Sequence, residues 1–281
     1  RPESADDWAR FGLGMALEAA ARIRKIRQKR LTDETSYKQD GTPFTRIEEA
    51  VERDLRQTLH RLVPNVTFVG EEGGGEWTDH GLVVAMDPID GTWAFINHTE
   101  TFVTSLSVFH NGNILLGIIV NPSTGELAYS AAGRRARLIQ LSMLGEPDVG
   151  ADLPLELTGS TLLVNVQPSR LAGDLVGRLY RAWKSSDLQM VKAAGGSPLW
   201  ALVEAAKGRF VYVNLWSRRP AEPYDLASGI ELIRCAGGDV VDLANRPVEL
   251  TGHTGPFIAG IDSCQREQMV NMVAEMADAF A

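Results

Sequence analysis

Along residues 4–30 apolar side chains return every third or fourth position, at Trp8, Phe11, Met15, Ala19, Ile23 and Ile26. That spacing makes one face apolar and predicts an amphipathic helix. Its end carries Arg22, Arg24, Lys25, Arg27, Lys29 and Arg30, cations that suit a helix C-terminus and read as a solvated face rather than a nucleic-acid patch. Residues 31–43 are polar, close on Asp40-Gly41-Thr42-Pro43, and predict a loop. A second helix is expected from about Thr45 to Pro64, with Ile47, Val51, Leu55, Leu59 and Leu62 as its stripe. Val66 to Gly70 reads as a short strand. The unbroken apolar run from Leu82 to Met86 predicts a central strand covered on both faces and stopping at Asp87. Val103 to His110 and Ile114 to Val120 flank Asn111-Gly112, a hairpin signal, and Leu127 to Ser130 and Ala136 to Gln140 read as further strands.

Gly, Pro and Asp crowd residues 142–158, the best candidate boundary. It divides an N-terminal α+β half, residues 1–145, with two long helices and a largely antiparallel sheet, from a C-terminal half, residues 146–281. In the second half strands at 161–166, 188–193, 209–213, 240–243 and 257–261 alternate with helices at 169–183, 197–207, 224–236 and 263–280, which predicts an α/β arrangement.

Polar residues break the pattern at a few strand ends, and the candidate chemistry lies there. After Met86 come Asp87-Pro88-Ile89-Asp90-Gly91-Thr92 and a helix-like run from Trp93 to Asn97. Pro88 fixes φ, makes a tight corner and leaves the Ile89 carbonyl to point outward as a hard oxygen ligand. Gly91 admits another group close to the backbone, and Thr92 is the expected N-cap of a helix whose first N–H groups face the same cleft. Oxygens for a divalent cation beside a seat for an anion point to a metal-bound phosphate. By itself such a stretch is more often a turn, so further charge must come from elsewhere. Glu71 and Glu72 end the strand before Gly73-Gly74-Gly75; Glu48 and Glu49 lie in the first turn of the second helix, which dipole stabilisation alone would explain. Asp225 stands at a helix start, where N-capping is the ordinary role.

Composition works mainly by exclusion. Of the 281 residues 44% are hydrophobic and 23% charged, as in a soluble globular protein. With 28 Lys and Arg against 36 Asp and Glu the net charge is −8, which disfavours general attraction to nucleic acid or anionic membrane. No stretch approaches the roughly 20 apolar residues of a membrane span, and no apolar signal region opens the chain. Cys235 and Cys264 have no metal-ligand spacing and form no disulfide framework, so a reducing compartment, the cytoplasm, is expected.

Four blocks, Lys38-x-Asp40-Gly41-Thr42-Pro43-Phe44-Thr45, Gly70-Glu71-Glu72, Asp87 to Thr92, and Asp225-Leu226-Ala227-Ser228-Gly229 with Gly237-Gly238 beyond, together resemble the inositol monophosphatase family. These are magnesium-dependent, often lithium-sensitive phosphomonoesterases, and the resemblance covers most of the chain. It implies the layered α-β-α-β-α sandwich of the inositol monophosphatase and fructose-1,6-bisphosphatase type, with the site between its halves. It implies two or three Mg²⁺: Glu71, Asp87 and the Ile89 carbonyl on the first, Asp87, Asp90 and Asp225 on the second, Glu71 sharing a third, with Glu72 behind them. Mg²⁺ takes hard oxygens and keeps several waters, which suits that set. The implied reaction is in-line attack by a metal-activated water oriented by Thr92 and an acid on the second helix, with Asp90 in the catalytic set.

Departures from the family pattern bear on mechanism and substrate. The second-helix acid, usually Asp, is the longer Glu48, and Tyr224 replaces the usual Trp before Asp225. Gly195, Gly196 and Ser197 match the loop that contacts the substrate's ring. Together with Asp90, Gly91, Thr92 and Asp225 they make up the implied substrate contacts. Asn214 falls where an acid takes hydrogen bonds from inositol hydroxyls, which weakens the case for inositol itself. Trp93 adds a bulky wall whose expected role is packing. The expected protein is a homodimeric, inositol-1-monophosphatase-like phosphoric monoester hydrolase acting on a small inositol-phosphate-like, polyol or sugar phosphate, with no nucleic-acid or membrane partner. Histidinol phosphate and nucleotide 3′-phosphates are alternatives within the family. A catalytically inactive metal-binding scaffold, hinted at by Glu48, is the alternative of another class. A two-carboxylate glycosidase is disfavoured because it leaves the helix start at Gly91-Thr92 without a role.

Overall fold

Two amphipathic helices, α1 (Ala5–Gln28) and α2 (Arg46–Leu62), form where the 3.6-residue spacing predicts them. Met15, Ala19 and Ile23 of α1 and Ile47, Val51, Leu55 and Leu59 of α2 are buried together against one face of a sheet. Leu62, expected on the stripe, is exposed at the helix end. The structure, a computed structural model of the 281-residue chain, describes residues 5–28, 35–37, 43–141, 150–155, 161–165, 177, 181, 190–215 and 220–278. The block from Lys38 to Thr42 lies outside them, as does the expected helix at 169–183 except for Gly177 and Arg181, both helical.

The first sheet has seven strands whose spatial order follows the chain. They are β3 (Thr67–Gly70), β4 (Leu82–Asp90), β5 (Val103–His110), β6 (Asn113–Val120), β7 (Glu126–Ala131), β8 (Arg137–Gln140) and β9 (Ala151–Asp152). Only the β3–β4 pair in it is parallel; each later strand returns antiparallel beside the last, with Asn111-Gly112 closing the expected hairpin. Two local readings are corrected. The expected loop at 31–43 contains an antiparallel ribbon of β1 (Thr35–Tyr37) and β2 (Pro43–Thr45), strands too short to show a period in sequence. And β4 does not stop at Asp87: Asp87 pairs with Ser105 and Asp90 with Val103, so β4 carries one extra residue, a bulge that accommodates Pro88 inside the strand.

The second sheet runs β11 (Met190–Ala193), β10 (Thr161–Asn165), β12 (Phe210–Asn214), β14 (Phe257–Gly260), β13 (Asp239–Asp242), parallel among the first three and antiparallel beyond. Between the sheets lie α4 (Pro198–Ala206) and α5 (Pro223–Cys235), apolar on most sides because both faces are covered. Leu199, Leu202, Leu226 and Ile230 fill one core with Val103 and Ile119 of the first sheet and Leu163, Tyr212 and Phe257 of the second. On the far side α6 (Ser263–Asp278) packs Met269, Val270 and Val273 on Leu162, Val213 and Ile258. The layers therefore run helix, sheet, helix, sheet, helix, the expected α-β-α-β-α sandwich. Lys207, at the end of α4, adds a polar tie: its Nζ lies 2.7 Å from Glu126 of β7 and also pairs with Glu204. No helix among the described residues is long and apolar enough to cross a membrane.

Candidate active site

The bulge in β4 delivers Asp87 and Asp90 to the seam between the first sheet and the middle helices. Asp87 is buried, and its Oδ1 accepts the Ile89 N–H at 2.8 Å, so the bulge stabilises itself. Asp90 Oδ2 accepts both Ser197 Oγ at 2.6 Å and the Leu199 N–H at 2.7 Å. One carboxylate of β4 thus satisfies orphan donors at the start of α4, across the layer boundary.

Electrostatics bring the other carboxylates in. Burial first, then the charges of Glu71, Asp90 and Glu48, hold the Asp87 acid well above the usual carboxylate range, and a hydrogen bond with Glu71 adds to the rise. Burial pushes Asp90 up to about 7; its bonds from Ser197 and Leu199 pull the other way, and Glu71 and Asp225 raise it further. Asp225 is the third residue of α5, not its N-cap; Glu222 holds that place and its N–H donates to Asp225 Oδ2 at 2.7 Å. Glu71, Asp87, Asp90 and Asp225, from three separate stretches, therefore form one cluster of repelling charge, which needs protons or cations within it.

Hard carboxylate oxygens are the donors Mg²⁺ takes, so the residues fit that ion. Among the described residues, no group of three or more His, Cys, Asp or Glu side chains is placed so that it could hold a metal ion. Asp87, Asp90 and Asp225 each accept a hydrogen bond from a protein N–H or O–H. The Ile89 carbonyl accepts Thr92 Oγ1 in a long contact of 3.4 Å.

Beside the cluster stands a second device. The short helix α3 (Thr92–Ile96) has Gly91 as its N-cap, so the expectation that Thr92 caps it is corrected. The Thr92 hydroxyl instead donates to Glu48 Oε1 at 2.8 Å. Glu48 is buried, and its Oε2 accepts the Thr45 N–H at the start of α2, half of a capping box. Burial pushes the Glu48 acid up to about 8, opposed by the Thr45 and Thr92 bonds and assisted by the charge of Glu72. The extra methylene of Glu48, relative to Asp, does not prevent the contact with Thr92. Gly91 has φ 96°, and a Cβ there would stand 2.8 Å from Ser197 Cβ and 3.1 Å from the Thr101 carbonyl. Gly91→Ala is expected to cost about 2–3 kcal/mol of stability, read as a lowered denaturation midpoint.

Three further residues are placed apart from expectation. Glu52, one turn after Glu48 on α2, is buried and accepts the N–H groups of Glu72 at 2.8 Å and Gly73 at 2.6 Å, suspending the Glu71–Glu72 loop from the helix. A carboxylate beside the apolar stripe at Val51 was the available signal. Tyr212 of β12 is fully buried beside Asp90 and Asn165. Trp93, expected to pack, is 52% exposed. Gly195, Gly196 and Ser197 form the turn into α4, with Ser197 bonded to Asp90, and Asn214 is buried at the end of β12 opposite Asn165. A surface hollow of about 500 Å³ lined by Asp242, Arg246, Glu249 and His253 shares no residue with the carboxylate cluster.

Comparison with known proteins bears on the fold and the family. The chain is 28% identical over 252 residues to the Nus factor SuhB of Escherichia coli (strain K12), covering 88% of each. It is 27% identical over 237 residues to the inositol-1-monophosphatase of Bacillus subtilis (strain 168), covering 82% of this chain and 83% of that one. The solved IMPase of Thermotoga maritima superposes with a TM-score of 0.78 at 21% identity, over 98% of this chain and all of that one, a likeness of fold. Residues 5–275 match the family described as the Inositol monophosphatase family, and the chain belongs to it.

Proposed function

We propose that this chain is a Mg²⁺-dependent phosphatase that hydrolyses a small phosphate monoester, of the inositol-phosphate-like, polyol or sugar-phosphate kind. The observation that carries the reading is the meeting of Glu71, Asp87, Asp90 and Asp225, of which Asp87 and Asp225 are buried, beside the Glu48–Thr92 hydrogen bond. Glu71, Asp87, Asp90, Asp225 and the Ile89 carbonyl would hold two or three Mg²⁺, which supply Lewis-acid charge to the phosphoryl and leaving oxygens. The chain's own residues position the rest. Glu48 accepts the Thr92 hydroxyl proton in a hydrogen bond, so that the Thr92 oxygen turns its lone pairs toward the attacking water. The pair thereby holds that water in line with the breaking P–O bond and receives its proton. Backbone amides at Gly91 and Thr92 face the phosphate, and the five-residue helix behind them adds little dipole of its own. Gly195, Gly196, Ser197, Asn214 and Asp225 border the alcohol. The reading keeps the homodimer that the resemblance implies and the cytoplasmic setting expected from the two cysteines.

Phosphate release from a panel of monoesters, with Mg²⁺ and with a chelator, tests it. Release from at least one polyol or sugar ester, abolished by the chelator and restored by Mg²⁺, is the expected result. Similarity to a protein named as a Nus factor keeps the scaffold reading as the competitor. No release from any ester at any Mg²⁺ concentration decides for it.

A further inference from the structure

We infer that Tyr37 and Trp93 form an aromatic platform at the edge of the site, which stacks against a flat, unsaturated ring in the alcohol portion of the substrate. The inference rests on the phosphatase reading and narrows its substrate class. Among the described residues four large hydrophobic side chains are exposed, and two of them, Tyr37 at 61% and Trp93 at 52%, touch each other. Their ring centroids are 6.4 Å apart and their planes meet at 51°. Single exposed apolar residues are ordinary; two rings from separate elements held in contact in water are not scattered singles. Other aromatic pairs of this chain, Phe95–Phe102 and Tyr212–Phe257, are buried in the cores, where packing explains them.

Position connects the pair to the chemistry. Trp93 directly follows Thr92, so their Cα atoms are about 3.8 Å apart and their side chains diverge by about 100° around the first turn of α3. Thr92 bonds Glu48, Glu48 bonds Thr45, and Thr45 pairs with Thr35 in the ribbon that carries Tyr37. The platform and the proposed water-positioning pair thus belong to one closed circuit of contacts. An alcohol seated on that side would meet two aromatic faces, with the indole N–H and the phenol O–H as their polar groups. By the resemblance, Asn214 falls where an acid would take hydrogen bonds from polyol hydroxyls. Trp and Tyr offer large faces at little entropic cost, and the tilt between the two rings leaves their outer faces open to a third.

Benzyl phosphate and glycerol 2-phosphate, both alkyl esters, differ in the ring that the platform would hold. Wild-type protein with Mg²⁺ is expected to cleave benzyl phosphate with a kcat/KM about tenfold higher. Trp93→Ala is expected to raise KM for benzyl phosphate about tenfold while kcat stays within about twofold, and Trp93→Phe to restore KM to within about twofold of wild type. No preference in the wild type, or equal KM in the Ala and Phe variants, overturns the platform. Binding of benzylphosphonate with Mg²⁺, followed by quenching of tryptophan fluorescence in wild type and by calorimetry in the variants, separates the two readings. If the wild type cleaves neither ester the phosphatase reading fails. The platform then stands if the Phe variant binds the phosphonate more tightly than the Ala variant, and falls if the two bind equally or the wild type binds none.

Discussion

Asp90→Asn is expected to lower kcat by about three orders of magnitude while leaving the fold intact, measured as phosphate release at saturating Mg²⁺. Both structural bonds of Asp90, from Ser197 Oγ and the Leu199 N–H, end on the same oxygen, Oδ2. The amide oxygen of Asn can accept both, so α4 keeps its support. The change falls on Oδ1, where an NH₂ group replaces an oxygen and cannot ligate a cation. Stability should move in the opposite direction to activity. The folded chain raises the Asp90 acid from the usual value of about 4 to about 7. A group raised on folding contributes most at low pH and loses that contribution as pH climbs through this window. Without divalent cation, Asp90→Asn is therefore expected to be at least as stable as wild type at pH 7, with the two converging toward pH 4. Added Mg²⁺ should raise the wild-type denaturation midpoint and raise the variant's less. Wild-type turnover in the variant would remove Asp90 from the ion-binding set.

Glu48→Gln is expected to cut kcat about 10²–10³-fold with KM within about threefold. Glu48 accepts two hydrogen bonds, one on each oxygen, from Thr92 Oγ1 and the Thr45 N–H. Gln has one acceptor oxygen, so one donor must face its NH₂ group, at a cost of about 1–2 kcal/mol in stability. A base works only when deprotonated. Since burial lifts Glu48 to about 8, wild-type kcat should rise with pH through the neutral range, and earlier when Mg²⁺ lowers that value by its charge. The Gln variant should lose this rise. A variant with wild-type kcat and an unchanged pH profile would leave Glu48 with a capping role only.

Long periodic elements were legible in the residue pattern, and the short irregular ones that shape the site were not. The stripe of α2, the continuous apolar run of β4 and the Asn111-Gly112 turn each carry many residues that agree with one another. Ribbon strands of three residues carry no period. At Asp87-Pro88 the residue types favour a turn, yet the ladder with β5 continues past them because a bulge absorbs one residue. Thr92 has the chemistry of an N-cap, but the buried Glu48 outcompetes the backbone for its hydroxyl, and Gly91 takes the left-handed position instead. Asp225 was read as a capping residue or a site residue; at the third position of α5 its carboxylate accepts the Glu222 N–H and also lies within reach of Asp90's charge. For Trp93 the residue type favours packing, yet the side chain is half exposed, since an indole is as apt for a surface as for a core.

Asp90 belongs at once to the acidic cluster and to the joint between the first sheet and α4. Sliding one layer over the other by the length of a hydrogen bond would respace the negative charges by a similar amount. On the proposed reading, mechanical stiffness of the sandwich and cation affinity are two readings of one coordinate.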